Sequence, residues 1–261
     1  LLLSAFLFTV ASVGTGLASN YETFVFFRIV GGVGIGLASA LSPMYIAEVA
    51  PSHLRGRFVS LNQMTLVVGI LAAQIINLII AEEVPVGVSD EFISSSWNGQ
   101  TGWRWMFYAC AVPSVVFFLL AFTLPESPRW LMKAGKQEKA FPTLNKIGGE
   151  AYAREEMANI QATLDDVSEK IDFKALFNPK FRNVLLIGIV VAVFQQWCGI
   201  NTVFNYAEEI FTAAGYGVSD TLFNIVITGT VNLVFTLVAM FTVDKWGRKK
   251  LMVFGASGLA I

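Results

Sequence analysis

The chain has 261 residues, a formal net charge of −1, 55% hydrophobic and 14% charged residues, and a mean hydropathy of +0.62. Ordinary soluble domains carry about 25% charged residues, so this composition excludes one and points to an α-helical protein of the lipid bilayer. The two cysteines, Cys110 and Cys198, fall in apolar spans and imply no disulfide framework, and no basic tract outside the loops suggests a nucleic-acid partner.

The first apolar run opens at Leu1-Leu2-Leu3-Ser4-Ala5-Phe6, with no initiator Met and no basic leader, so it is not a signal peptide. Stretches near the spanning length of about 20 residues fall at Leu1–Ala18, Thr23–Ala47, Phe58–Ile80, Trp103–Leu124, Val184–Phe211 and Thr221–Val243. A seventh starts at Leu251 and runs about 16 Å to Ile261, short of a hydrocarbon core of about 30 Å. The chain therefore reads as a fragment cut inside a helix at both ends.

The second span holds Arg28 among apolar neighbours, Phe24 to Val30. A charge at the bilayer centre costs at least about 2.5–3.5 kcal/mol. Either Arg28 snorkels to the interface or it meets an acid on a helix outside this chain. Gly32, Gly36 and Ala40 follow at four-residue spacing, a small-residue stripe that lets helices approach closely. A dinucleotide loop is excluded there, because no strand precedes the glycines. After this span come His53, Arg55 and Arg57. His53 sits in a polar loop without further ligands, so no metal site is expected.

In the third span Gln63, Ile70 and Gln74 return to nearly one helix face, as offsets of seven and eleven require. The stripe is polar, apolar, polar. Gln74, Asn77 and Asn224 read singly as helix-packing or interfacial residues. Acidic residues follow the third span (Glu82, Glu83, Asp90, Glu91), and a long basic connection follows the fourth. The sixth is followed by Lys245, Arg248, Lys249 and Lys250. The positive-inside rule then puts the second, fourth and sixth connections in the cytoplasm.

The long connection 125–182 is too polar to cross. Ser127-Pro128 has the form of a helix N-cap followed by proline at the first helical position, and Gly135 suits a C-terminal cap. Met157, Ile160, Leu164, Val167 and Ile171 form one face of an amphipathic helix. Pro142 is expected to break or kink the middle piece, because an interior proline costs about 3 kcal/mol.

The fifth span carries the largest polar cost. Gln195-Gln196 and Asn201 lie within seven residues, interrupted by Gly199. Each primary amide costs about 4–8 kcal/mol on the alkane scale unless partnered. They line a cavity and hydrogen-bond a polyhydroxylated solute, or they bond across packed helices. Asn205 continues the stripe, Asn232 is the counterpart in the sixth span, and Gly199 marks a place where a helix can break. Glu48 with Arg55, Glu126 with Arg129, and Asp244 with Arg248 make three charged pairs at one end. They form a network that biases a two-state equilibrium, or they are charged loops beside a membrane, where an isolated pair is worth about 0–1 kcal/mol.

Several segments together resemble the sugar porter family of the major facilitator superfamily. They are Arg28 to Gly36, Pro43-Met44-Tyr45-Ile46-Ala47-Glu48, Arg55-Gly56, Pro125-Glu126-Ser127-Pro128-Arg129-Trp130-Leu131, Gln195 to Asn201, and Asp244-Lys245-Trp246-Gly247-Arg248-Lys249. They cover nearly the whole chain in the family's order. The resemblance implies an all-α membrane protein, a partial major facilitator bundle running from helix 3 to the start of helix 9. Residues 1–124 would belong to the N-terminal half, 125–182 to an intracellular helical domain, and 183–261 to the C-terminal half.

By the same resemblance, Gln63, Gln195, Gln196, Asn201 and Asn232 would bind sugar hydroxyls, with Ile70 and Asn205 beside them. Ile70 stands where xylose-transporting members have a second sugar-contacting glutamine, and Asn205 where the family usually has tyrosine. Arg28 would pair with the proton-coupling acid of helix 1. The three charged pairs would form the cytoplasmic gate. The implied function is movement of a monosaccharide, hexose or pentose, by alternating access with protons. Facilitated uniport is the alternative within the class, and a non-transporting sugar sensor the alternative outside it. No enzyme activity and no cofactor are expected.

Overall fold

The computed structural model describes residues 1–51, 54–85, 88–166, 179–197, 199, 202 and 205–260. The elements are helices: α1 (Leu2–Leu17), α2 (Tyr21–Val49), α3 (Arg55–Ile80), α4 (Asp90–Ser95), a π-helical turn at Asn98–Gly102, and α5 (Trp103–Ala121). Then follow α6 (Pro128–Lys133), α7 (Gln137–Asp166), α8 (Pro179–Trp197), α9 (Ala207–Ala213), α10 (Val218–Trp246) and α11 (Arg248–Ala260). Among the described residues, Tyr21–Val49, Arg55–Ile80, Asn98–Ala121 and Ser219–Val243 are long and apolar enough to cross a membrane, and Leu2–Leu17 and Arg182–Trp197 are shorter apolar helices. His53, Val167, Ile171, Cys198 and Asn201 lie outside the described residues.

The hydroxyls of α1 are satisfied locally. In α1, Thr9, Ser12 and Thr15 donate to the carbonyls of Ala5, Phe8 and Ala11, at 2.9, 2.9 and 2.7 Å. A polar group in hydrocarbon finds no water, so the carbonyl four residues back is its nearest acceptor. Helix α2 starts at Asn20, whose side chain accepts the Thr23 N–H at 2.8 Å, with Glu22 in the first turn to complement the helix dipole. At 29 residues it is about 43 Å long at 1.5 Å per residue.

Helix α1 packs against both α2 and α5, and α3 packs against α2, α5 and α10. The close approach of α1 to α2 runs through Gly31 and Gly34. A Cβ on Gly34 would sit 3.1 Å from the Phe8 nitrogen and 3.2 Å from the Ser4 oxygen. This corrects the small-residue stripe expected from spacing. Gly32 and Gly36 have nothing within 4 Å of an added Cβ and lie on the bare face of α2. The glycines that pack are set by where α1 lies, and four-residue spacing alone does not reveal that.

The 125–166 region forms its own small core. Leu131, Met132, Ala140, Leu144, Ala153 and Ile160 are buried, with Phe141, Tyr152, Met157 and Leu164 packed on them. Ser127 caps α6, accepting the Trp130 N–H at 3.3 Å, ahead of Pro128 in the first turn. At the other end Gly135 takes φ 73°, Lys136 N–H donates to the Leu131 carbonyl at 2.8 Å and Gly135 N–H to that of Met132 at 3.0 Å. This is the left-handed glycine stop of the Schellman type. Helix α7 keeps a helical backbone through Pro142 and breaks instead at Gly149, φ 84° and ψ 176°. Pro142 lies early in the helix, so the carbonyl it leaves without a donor is that of Glu138 in the first turn. Gly149 occupies a backbone region essentially closed to residues with a Cβ.

The fifth apolar stretch is not one continuous helix. Helix α8 ends at Trp197, Gly199 takes φ 84°, and the backbone is helical again at Thr202 and Asn205, ahead of α9.

Candidate functional site

A cavity of about 490 Å³ lies between α1, α2, α3 and α5. Gln63 lines it together with Asn62, Ser39, Ser42 and Ser4, among Phe8, Ile35, Leu66 and Phe117. Pro43, inside α2, has no N–H, so the Ser39 carbonyl lacks its helical donor. Ser4 bonds back to the Leu1 carbonyl at 2.7 Å. The Ser39 and Ser42 hydroxyls and the Asn62 and Gln63 amides, by contrast, bond to nothing among the described residues. Several free donors and acceptors facing one space in an apolar bundle suit a polyhydroxylated ligand.

Helices α3 and α10 pack against each other. The Val84 N–H, past the end of α3, donates to Ser219 Oγ at 3.0 Å near the start of α10. Further in, Gln74 lies against Gly229, where an added Cβ would collide with Gln74 Oε1. Residue numbers fall along one helix as they rise along the other, so the pair is antiparallel. Asn232, half-buried, is three residues past Gly229, about 4.5 Å along the axis, and so roughly level with Ile70 on α3. The packing role read for Gln74 from sequence is what the geometry shows. Its Oε1 is buried without a partner among the described residues, a cost of about 1–3 kcal/mol.

Gln195 and Gln196 are exposed in the last turn of α8, and Asn205 is exposed just before α9. Among the described residues α8 shares no extended packing with another helix. Among the described residues, neither glutamine lines the Gln63 cavity. Arg28 is exposed on α2, with its guanidinium 5.6 Å from the centre of the Phe107 ring.

At the basic end of the bundle the contacts differ from the charge pairing read from spacing. Glu48 Oε2 accepts from Ser127 Oγ at 2.5 Å, and the Tyr45 hydroxyl donates to the Pro125 carbonyl at 2.8 Å. Arg55, Glu126 and Arg129 are exposed. Among the described residues the one ion pair is Arg154 with Glu150. Asp244 lies in the last turn of α10 and Arg248 begins α11, and their side chains are outside the described residues. Tyr45 and Ser127 were not singled out from sequence, although Ser127 was read as a cap. A hydroxyl carries no charge pattern to reveal a partner 79 positions away in the chain.

A family model described as "Sugar (and other) transporter" matches residues 1–261. The D-xylose-proton symporter of Escherichia coli is 42% identical over 245 residues, 94% of this chain and 48% of that protein. The chain belongs to the sugar transporter family of the major facilitator superfamily. Another member, the arabinose-proton symporter of Bacillus subtilis, is 40% identical across 100% of this chain and 54% of that protein. The xylose transporter of E. coli, solved in a partially occluded inward-open conformation, superposes with a TM-score of 0.80 at 38% identity, over 98% of this chain and 56% of that one. The fold is thus that of a major facilitator transporter, and this sugar transporter family member is a multi-pass membrane protein. The chain spans about half the length of the curated relatives it matches.

Proposed function

We propose that this protein carries a monosaccharide across the cell membrane by alternating access, in symport with protons. The observation that carries the reading is the set of unpaired amides and hydroxyls around Gln63 in an otherwise apolar bundle. The printed functions of its relatives, xylose and arabinose symport with protons, name the ligand class that such a set fits.

In this reading Gln63, Gln195, Gln196, Asn201 and Asn232 replace water around the sugar hydroxyls, and Ile70 and Asn205 shape the pocket beside them. Residues 1–124 and 183–261 belong to two half-bundles that rock about the site. The segment 125–182 is a cytoplasmic helical domain, on the side given by the basic loops. Glu48, Arg55, Glu126, Arg129, Asp244 and Arg248 act at the gate there. Arg28 couples to the proton through an acid supplied from outside this chain. No bond of the sugar is made or broken, so the protein is not an enzyme.

The test is uptake of radiolabelled D-xylose, arabinose and D-glucose by cells expressing the full-length protein, with external pH followed in de-energised cells. Uptake with external alkalinisation supports symport. Uptake without it assigns facilitated uniport. Sugar binding without uptake assigns a sensor.

A further inference from the structure

Among the described residues, α3 and α10 carry the main packing contact between the helices before and after the 125–182 connection. The contact has one tight point. Gly229 presents no side chain, and the Gln74 amide occupies the space. An added Cβ would collide with Oε1, lie 3.0 Å from the Gln74 amide carbon and 3.3 Å from Leu71 Cδ1. The amide oxygen is buried and unpaired among the described residues. Leucine would fill a similar volume with no polar atom to desolvate, so packing alone gives no reason for an amide here.

We propose that Gln74 and Gly229 form the joint that sets the register of α3 against α10, with the Gln74 amide unpaired in this packing and paired to Asn232 after the joint shifts. Asn232 is three residues past Gly229 on α10, about one turn along the axis, and its side chain carries an N–H donor. Gln74 is a positioning residue. In the packing seen it keeps Ile70 roughly level with Asn232, and the Asn232 amide is not bonded to Gln74. In the shifted packing Gln74 Oε1 accepts from that amide and turns it away from the sugar, so Gln74 and sugar compete for the orientation of one side chain, and sugar release is drawn forward by a hydrogen bond that forms as the ligand leaves. The inference rests on the transport reading for its consequence, and on the helix contact alone for its geometry.

The experiment uses the full-length protein in proteoliposomes, with radiolabelled D-xylose as probe and Gln74→Leu, Gln74→Ala, Gly229→Ala and the double variant Gln74→Ala/Gly229→Ala. Gln74→Leu should lower turnover about fivefold or more while D-xylose binds as tightly as in the parent or tighter, the pattern of a lost interaction outside the ground state. An unspecific packing defect would instead weaken binding as well. The atom that Gly229→Ala meets is the end of a flexible side chain, so this variant should evict the amide and copy the Gln74 phenotype. The double variant should then be no slower than the worse single one, as expected for two residues acting through one contact.

Parent-like turnover in Gln74→Leu overturns the proposal, as do losses that multiply in the double variant. Should the full-length protein bind none of D-xylose, arabinose or D-glucose, the transport reading fails. The joint is then judged by whether the two substitutions are coupled in thermal unfolding, with additive shifts overturning it.

Discussion

Ser127 donates its hydroxyl proton to Glu48 across 2.5 Å while accepting the Trp130 N–H at 3.3 Å. One side chain thus caps α6 and ties it to the end of α2, and Tyr45 holds the Pro125 carbonyl beside it at 2.8 Å. Losing an N-cap costs about 0.5–2 kcal/mol, and a hydrogen bond to a charged group contributes about 1.5–3 kcal/mol. Ser127→Ala should therefore lower the thermal unfolding temperature of the full-length protein more than Glu48→Gln, which keeps an acceptor in place. Equal shifts for the two would mean that only the Glu48 contact, and not the cap, contributes. Ser127→Asp keeps the cap but sets two carboxylates together, and should be less stable at pH 7 than at pH 4.

Each candidate sugar-binding amide should contribute separately to affinity. A hydrogen bond worth about 0.5–1.5 kcal/mol corresponds to a change of about 2- to 13-fold in dissociation constant. Gln63→Ala, Gln195→Ala and Asn232→Ala should each weaken equilibrium binding of the transported sugar in that range or beyond, with unfolding temperatures little changed. Unchanged binding in all three would exclude these amides from the site.

The break in α7 offers a direct contrast between two residues. Gly149→Ala forces a Cβ into a backbone region that costs about 1–3 kcal/mol, so it should destabilise the 125–166 unit. Pro142→Ala restores a helical N–H and should leave stability unchanged or raise it. Amide hydrogen exchange over α7 would register both effects, and a larger loss of protection from Pro142→Ala would reverse the assignment of the break.

Tyr152 should titrate late. Burial pushes its phenol above the ordinary value of 10.0, Glu156 and Glu155 push the same way, and Arg55 opposes them. The folded-state value exceeds the unfolded one, so this contribution to stability is fully present below about pH 10 and is lost as pH rises through the folded value. Tyr152→Phe should flatten that alkaline loss in thermal unfolding. Arg55→Gln should raise the phenol further, as read by ultraviolet titration of the phenolate. No movement there would mean that Arg55, at the start of α3, does not act on α7.

Much of this architecture was legible in one dimension. Spanning helices show themselves by apolar length, because every backbone amide in hydrocarbon must be paired within its own helix. The cap at Ser127-Pro128, the stop at Gly135 and the interruption at Gly199 are local backbone chemistry, so they read directly from residue type. The features that failed to transfer share one property. Gly32 and Gly36 keep the spacing of a packing stripe, yet Gly31 and Gly34 make the contact, because a helix apolar on all sides does not indicate which side another helix will cover. Glu48 has basic residues close by in the sequence, and its observed partner is an uncharged hydroxyl. Sequence alone therefore determined the membrane class, the order of the spanning helices, the cap at Ser127, the stop at Gly135, the interruption at Gly199 and the polar residues worth testing, but it put the α7 break at Pro142 where the backbone breaks at Gly149. Tertiary packing decided which glycine faces which helix, that Gln74 fills the gap at Gly229, and that Glu48 holds Ser127, because those choices depend on the azimuth and register of one helix against another.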